Sequence, residues 1–499
     1  MGSDMDNMDE RVNRLHQWYL GKKYDEIIEY GMSILNQPMD DLCRVNVYQH
    51  LASAFYAKRA IPEFVEWQIK AVEYIPDSMW QEKLKLWGDA AFASHYLSDI
   101  TDQELADCHM QAQKIVEHIP WIYTEAEKQR LKKRLKAGVH GKKIKVAYIS
   151  ADFVNSVNIT YVIQLLGAYD RKNFEVYCYA LNDHEDSVTQ QLKEFVNGWQ
   201  DVHTYSAEDI ARQIYNDGID ILVDISLYTG GARSLAVVAY KPAPIIVGGI
   251  GYMSTSGLKA MDYFLTDVYC DPKGTGDNHF TEKLIRLPHT HFCYTPHEHS
   301  QKYKVNTAVH TNINFGSMNN FYKLNDDVLA VWRKIMDRVP DSKLIMQSTG
   351  TELVAKIMKQ RLSALGFDMT RVEFRPSSTE YMETYQDIDI LLDSYPYTGG
   401  GTTFDSLYMG VPVISLYGTR HGNRFGYSIL KNLGLEELAV NSWQEYEERA
   451  VMLAQNPDVV QALHEGLRTM IQRSPLMDAK MYVRAVEKEY KLIWNKFMH

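Results

Sequence analysis

Cysteine is scarce in this sequence. Cys43, Cys108, Cys178, Cys270 and Cys293 are odd in number, far apart and free of any C-x-x-C pair. That excludes a disulfide-stapled scaffold and a cysteine-rich zinc site, and fits reduced thiols in the cytoplasm. Basic excess is missing as well. There are 53 Lys and Arg against 64 Asp and Glu, a net charge of −11, whereas a nucleic-acid binder needs surface of the opposite sign to neutralise phosphates. No uninterrupted apolar run approaches the about 18 residues that suggest a membrane span. No apolar stretch follows Met1 as a secretory signal would require. The expectations are a cytoplasmic protein with no nucleic-acid partner and no membrane span. A nucleotide ligand is still admitted, because one lysine and a few backbone N–H groups suffice for a diphosphate.

What is present is ordinary for globular chains: 45% apolar and 23% charged residues over 499 positions, enough for about three domains of roughly 100–200 residues each. Aromatics reach 12%, with 33 Tyr, and aromatic rings can pack cores or stack on bases and sugars. The first 140 residues carry apolar positions at three- and four-residue spacing, with few Gly or Pro, and read as helices. Within them Tyr48, Leu51, Ala52, Phe55, Ala71 and Pro76 follow the small-and-aromatic spacing of a 34-residue helix-turn-helix repeat. A partial copy lies around Trp18, Gly21 and Tyr24, and a degenerate one from Trp80 to Pro120. A plain helical bundle is the alternative. The basic stretch 128–143 reads as the solvated face of a helix ending at Gly138, followed by a linker.

Beyond that linker the texture changes. KIKVAYIS (143–150), FEVYCYAL (174–181), GIDILVDIS (218–226) and PIIVGGIGY (244–252) are β-rich runs with helical patterns between them. A second series begins near residue 311 with INFGSM, SKLIMQST, RVEFRP, IDILLDSY and PVISLYG. Strands alternating with helices predict parallel sheets with right-handed crossovers. Two such halves in tandem place the natural ligand site in the cleft between them, at the carboxyl ends of the strands.

The sharpest segment is DSYPYTGGGTTFDSLYMGVPVISLYG (393–418). A buried strand runs into Gly399, Gly400 and Gly401, and Thr402, Thr403 and Asp405 then open a helix. A helix N-terminus offers free N–H groups and a positive dipole end to a phosphate. Glycines let the backbone approach the anion, the threonine hydroxyls add donors, and Asp405 can cap the helix or accept from ribose hydroxyls. A capped structural turn is the competing account; strand, triple glycine, threonine pair and acid together point to a nucleotide diphosphate. The second segment, INFGSMNNFYKLNDDVLAVW (313–332), places Asn320, Tyr322 and Lys323 at the carboxyl end of another strand, where a lysine can neutralise a departing diphosphate.

These segments resemble the catalytic region of the protein O-GlcNAc transferase family, which includes animal O-GlcNAc transferases, SPINDLY-type O-fucosyltransferases of plants and bacterial relatives. The resemblance covers roughly residues 143–495. It rests on KVAYISADF, FEVYCYAL, YTGGAR, KPAPI, GYMSTSGLKAMDYFLTD, EKLIRLPHT, NNFYK, GGTTFDSLYMGVP and the final SPL…YVRAVEKEY, in the family's order and spacing. The fold it implies is α/β: a GT-B-type pair of Rossmann-like domains with an N-terminal α-helical TPR-like region. The corresponding divisions are 1–140 (helical), 141–310 (N-terminal half, acceptor side), 311–475 (C-terminal half, nucleotide-sugar binding) and 476–499 (C-terminal helix). The activity it implies is an inverting, metal-independent transfer from a UDP-sugar, less so a GDP-sugar, to a Ser or Thr of a protein or peptide, with no cofactor. An oligomer is possible on this resemblance.

The family pattern makes Lys323 the residue on the diphosphate, with Tyr322 beside it. It puts Asn320, Gly400, Gly401, Thr402 and Thr403 around the phosphates, Asp405 on the ribose and Tyr381 against the base. Asp152, Asn155, Met253, Ser254 and Thr255 fall on the sugar and acceptor side. Asp183 and His184 follow the second strand near the cleft and are candidates for touching the acceptor; a solvated loop is the other reading. Departures concern that side too. Ser156 and Thr160 stand where animal members carry histidines, Met253 replaces a proline, and Gly401 replaces the histidine before the threonine pair. Diphosphate chemistry therefore carries over, and sugar and acceptor identity stay open. The alternatives are a protein N-glucosyltransferase or O-fucosyltransferase of the same fold, a catalytically dead repeat-containing adaptor, and a sugar-nucleotide epimerase. His289, His291, His297 and His299 have spacing that could bind zinc but no evident acidic or Cys partner, and no metal is expected.

Overall fold

The computed structural model describes residues 10–136, 143–305, 307–347, 352–376 and 378–499; the helix end expected at Gly138 lies outside them. Two parallel sheets dominate. The first orders its strands β3-β2-β1-β4-β5-β6-β7: β1 (Ile144–Ser150), β2 (Phe174–Ala180), β3 (Gly198–Asp201), β4 (Ile221–Asp224), β5 (Ile245–Gly249), β6 (Tyr263–Asp267) and β7 (Lys283–Leu287). The second runs β10-β9-β8-β11-β12-β13, from β8 (Asn314–Ser317), β9 (Lys343–Gln347), β10 (Val372–Arg375), β11 (Ile390–Leu392), β12 (Val413–Leu416) and β13 (Ala439–Val440).

Helices cover both sheet faces, so central strands lose all contact with water and read as continuous apolar runs rather than alternating ones. β4 and β5 are buried at every position, and Val146 of β1 sits between Val176 of β2 and Ile221 of β4. Each sheet reverses its winding once, between β1 and β4 and between β8 and β11. At such a reversal the loops leaving two neighbouring strands diverge and open a crevice beyond their carboxyl ends.

Ahead of the sheets, helices pack pairwise. Asp41–Ala57 lies against Ile61–Glu73, and that helix against Trp80–Ser94, with Leu51, Ala52 and Ala71 fully buried between them. The last of these helices seats on the first sheet half: a Cβ on Gly88 would stand 2.8 Å from the Tyr228 ring, so only glycine permits this approach. The C-terminal helix Ala479–Met498 crosses back from the second half to the first. There Tyr482 donates from its hydroxyl to the His291 carbonyl at 2.9 Å, and Glu487 accepts from the Asp170 N–H at 2.5 Å. Among the described residues no helix is long and apolar enough to cross a membrane.

Candidate functional site

The two crevices face each other across one cavity of about 440 Å³. Every loop beyond the two winding reversals contributes to it.

On the side of the second sheet, the chain leaving β8 turns at Asn319–Lys323. Asn320 accepts from the Tyr322 N–H at 3.2 Å through its side chain, which fixes the turn and sends Lys323 into the cavity. The ammonium of Lys323 lies 3.8 Å from the centre of the Tyr397 ring and donates to the Thr398 carbonyl at 3.3 Å. Among the described residues no carboxylate pairs with it within salt-bridge distance. Burial lowers its pKa to about 8, partly offset by the negative charge of Asp393.

Asp393, just past β11 and fully buried, holds the opposite loop. Its carboxylate accepts from the N–H of Ser394 at 2.9 Å and of Gly399 at 2.8 Å, from Ser415 Oγ at 2.7 Å and from Asn319 Nδ2 at 3.2 Å. Asn319 in turn accepts from the Thr402 hydroxyl at 3.2 Å. One acid thus ties together the β8 turn, the glycine loop and β12. The helix Gly401–Tyr408 starts inside the cavity, and no side chain caps its N-terminus. In the present packing, side chains at the neighbouring glycines would crowd what surrounds them. A Cβ on Gly399 would lie 2.5 Å from Thr402 Oγ1, and one on Gly401 2.7 Å from Val157 of the first half.

One turn into that helix, Asp405 accepts from the hydroxyl of Tyr294 at 2.6 Å and from that of Tyr381 at 2.8 Å. Burial raises its pKa, and the two tyrosine hydrogen bonds oppose the rise. A carboxylate has about four acceptor positions, so capacity remains for a ligand. The first half closes the cavity with Asn158, Tyr161, Thr229, Tyr252 and Met253. Tyr161 is 3% exposed, and its hydroxyl has no hydrogen-bond partner among the described residues. That oxygen is 3.0 Å from where a Gly400 Cβ would stand, so it faces the open helix end.

Of the residues singled out in the sequence, Asn320, Lys323, Tyr381, Gly400, Gly401, Thr402, Asp405 and Met253 line this cavity. Others lie elsewhere. Thr403 is buried and donates to the Gly399 carbonyl at 3.0 Å. Tyr322 turns toward the helical region and stacks on Tyr56 at 4.2 Å. Asp152 stands behind the wall and accepts from Asn158 Nδ2 at 2.8 Å, while Asn155 is exposed. Ser254 lines a much smaller cavity beside His95 and His421. Thr255 is buried and donates to Glu282 at 2.6 Å. Asp183 and His184 form an exposed pair at 2.8 Å, 87% and 67% accessible, so the solvated-loop account describes them. Among the four histidines, His291 is buried with Nδ1 2.5 Å from Asp267; Cys270 completes a three-residue group of metal-ligating types. Asp267 there also accepts from the N–H groups of Tyr269, Cys270 and His291 and from Ser428 Oγ, which accounts for its burial by hydrogen bonding. The side chain of His299 is outside the described residues. Asp393, Asn319, Tyr161 and Tyr294 are central to the geometry without having been singled out; for Asp393 the available signal was an acid directly between an apolar strand and a glycine loop.

The sequence profile of glycosyl transferase family 41 matches residues 95–314 and 299–486. A relative from Solanum lycopersicum, described as a probable UDP-N-acetylglucosamine–peptide N-acetylglucosaminyltransferase SPINDLY, is 31% identical over 81% of this chain and 44% of its own length. A protein of the same description from Oryza sativa is 30% identical over 86% of this chain and 46% of its own. The chain therefore spans less than half the length of the curated relatives it matches. In fold it is similar to the solved structure of a lysine-to-methionine mutant of the O-GlcNAc transferase from Thermobaculum terrenum, with a TM-score of 0.80 and 22% identity over 98% of this chain and 97% of that one.

Proposed function

The chain belongs to glycosyl transferase family 41, and from that premise we propose that it transfers N-acetylglucosamine from UDP-N-acetylglucosamine to a serine or threonine of a protein, inverting the anomeric carbon without a metal. The observation that carries this reading is the convergence on one cavity of an unpaired lysine ammonium, an uncapped helix N-terminus and a buried carboxylate held by two tyrosines. The lysine and the helix end suit the diphosphate of a nucleotide-sugar, and the carboxylate suits its ribose. The relatives' descriptions name UDP-N-acetylglucosamine and a peptide, and support that choice of donor and acceptor.

In this mechanism the acceptor oxygen attacks the anomeric carbon from the side opposite the diphosphate, and the bond from that carbon to the β-phosphate oxygen breaks. The acceptor proton passes to a phosphate oxygen or to water. Negative charge growing on the β-phosphate meets Lys323 and the N–H groups opened at Gly400–Thr402. These donors are already in place, so no reorganisation is needed at the moment of reaction. Tyr381 supplies a flat wall for the base, and Asp405 accepts from the ribose hydroxyls.

The test is a thermal-shift panel of UDP, GDP, UDP-N-acetylglucosamine, UDP-glucose and GDP-fucose. A ligand at about 100 times its dissociation constant stabilises the folded state by about 2.7 kcal/mol, so UDP and its N-acetylglucosamine derivative should raise the melting temperature and GDP should not. A shift with GDP-fucose alone would reassign the sugar, and none with any nucleotide would overturn the reading. Tyr161→Phe gives a second check with effects of opposite sign. Removing a buried, unpartnered hydroxyl should leave the free protein as stable or up to about 1 kcal/mol more so. Affinity for the nucleotide-sugar should fall about tenfold, as one hydrogen bond to a charged group is lost. Unchanged affinity in calorimetric titration would remove Tyr161 from the donor site.

A further inference from the structure

A second cavity, of about 670 Å³, lies where the helical region meets both sheet halves. Phe92 and Thr229 line it and the donor cavity alike, so the two lie side by side. Seven of its eighteen lining residues are aromatic, Tyr56, Phe64 and Tyr322 among them, and three polar groups interrupt them, two of which hold buried atoms with no hydrogen-bond partner among the described residues.

Arg59 is the first. It follows the helix Asp41–Ala57 with φ +64°, a left-handed conformation usually left to glycine at helix ends. Its N–H donates to the Tyr56 carbonyl at 3.0 Å. The bend directs the guanidinium onto the Tyr322 ring, 3.3 Å from its centre. Nε and Nη1 are both buried, and neither has a hydrogen-bond partner among the described residues. Burial lowers the pKa to about 10, so the group stays charged at neutral pH. Gln68 is the second: it is 7% exposed, and its Oε1 is also buried without a donor. Asp89 is the third, with its pKa raised by burial to about 6. A planar cation with free N–H donors fits a carboxylate, which it can grip at two points. An unfilled carbonyl oxygen nearby fits a backbone N–H. An acidic side chain on an extended polypeptide supplies both.

We propose that Arg59 binds a carboxylate side chain of the acceptor polypeptide, flanking the modified residue, which makes Arg59 a determinant of acceptor choice. This rests on the transferase reading given above. The chain as a whole carries a net charge of −11, which repels acidic peptides. A preference for acid at one position would therefore have to come from a local cation.

The experiment uses the full chain, UDP-N-acetylglucosamine and a library of amidated peptides. Each peptide carries a central Ser or Thr, and Glu, Gln or Lys is stepped through the flanking positions. Transfer is read by mass spectrometry and nucleotide binding by thermal shift. The wild type should favour Glu over Gln at one position by about tenfold in kcat/KM. Arg59→Met should erase that difference, Arg59→Glu should turn it toward Lys, and Arg59→Lys should retain part of it. All should keep the wild-type response to UDP, which also shows that they fold. No preference for Glu at any position, or one that survives Arg59→Met, would overturn the proposal. So would donor hydrolysis without transfer to any peptide, which would leave the donor site standing. If the wild type binds no nucleotide at all, the transferase reading falls and this inference with it.

Discussion

Lys323→Met should lower the turnover of sugar transfer by about 10²–10³, the loss typical when one preorganised donor to a developing anion is removed, while the protein remains folded. Methionine keeps the unbranched stem that lies on Tyr397 and removes only the charge. The wild-type ammonium is unpaired with any acid at close range and bonded to one carbonyl, Thr398. Its loss removes part of the positive charge that offsets buried Asp393, but that carboxylate keeps its four hydrogen bonds, so the melting temperature should fall only slightly. The deficit should fall on kcat more than on KM, because charge on the leaving oxygen develops mainly in the transition state. Single-turnover transfer by quenched flow separates the two, and a wild-type rate in the variant would remove Lys323 from the reaction.

The same residue sets a pH dependence whose sign is fixed. Burial has lowered its pKa to about 8, so the free enzyme loses the ammonium as pH rises through that value, and donor affinity should fall on the alkaline side. A bound diphosphate favours the charged form and raises the pKa again. Donor binding at pH 8 should therefore take up about half a proton per site. Calorimetry in buffers of different ionisation enthalpy measures that uptake directly, and Lys323→Met should abolish it.

Much of this was legible in the sequence where burial on both sheet faces wrote continuous apolar runs. Four strands of the first sheet (β1, β2, β4 and β5) and β8, β9, β11 and β12 of the second coincide with such runs, whereas β10, VEFR, is a half-exposed edge strand. The strands without that signal are peripheral. β3, GWQD, is an edge strand and mostly half-exposed, and β13 has only two residues. β6 and β7 fall in segments read only for their family likeness. The glycine loop and Lys323 were visible because turn chemistry is local. The fates of Tyr322, Thr255 and Thr403 were not, since each depends on which way a side chain turns after distant elements have packed. Tyr322 faces Tyr56, some 270 residues earlier; Thr255 meets Glu282 from another strand end. The role of Asp393 was hidden for the same reason, since three of its partners come from Asn319, Gly399 and Ser415.

Asp393→Ala should be the most destructive single substitution in the second half. It would strip the acceptor from four donors that are buried or nearly so, two of them backbone N–H groups of the glycine loop itself. Each orphaned donor costs about 1–3 kcal/mol before relaxation, and the loop has no other acid to turn to. The expected loss exceeds about 4 kcal/mol, even allowing for the non-additivity of neighbouring terms. It should appear as early melting of the second half and loss of the response to UDP. Asp393→Asn separates scaffold from charge. The amide keeps one acceptor oxygen, so much of the loop should survive, but the negative charge that now holds up the pKa of Lys323 is gone. In that variant the ammonium is lost at lower pH, and the alkaline limb of donor binding should move down from about 8. A variant that folds, binds UDP and keeps the wild-type pH profile would show that Asp393 shapes the loop alone. A shifted profile would show that one buried acid both builds the phosphate loop and keeps its lysine charged.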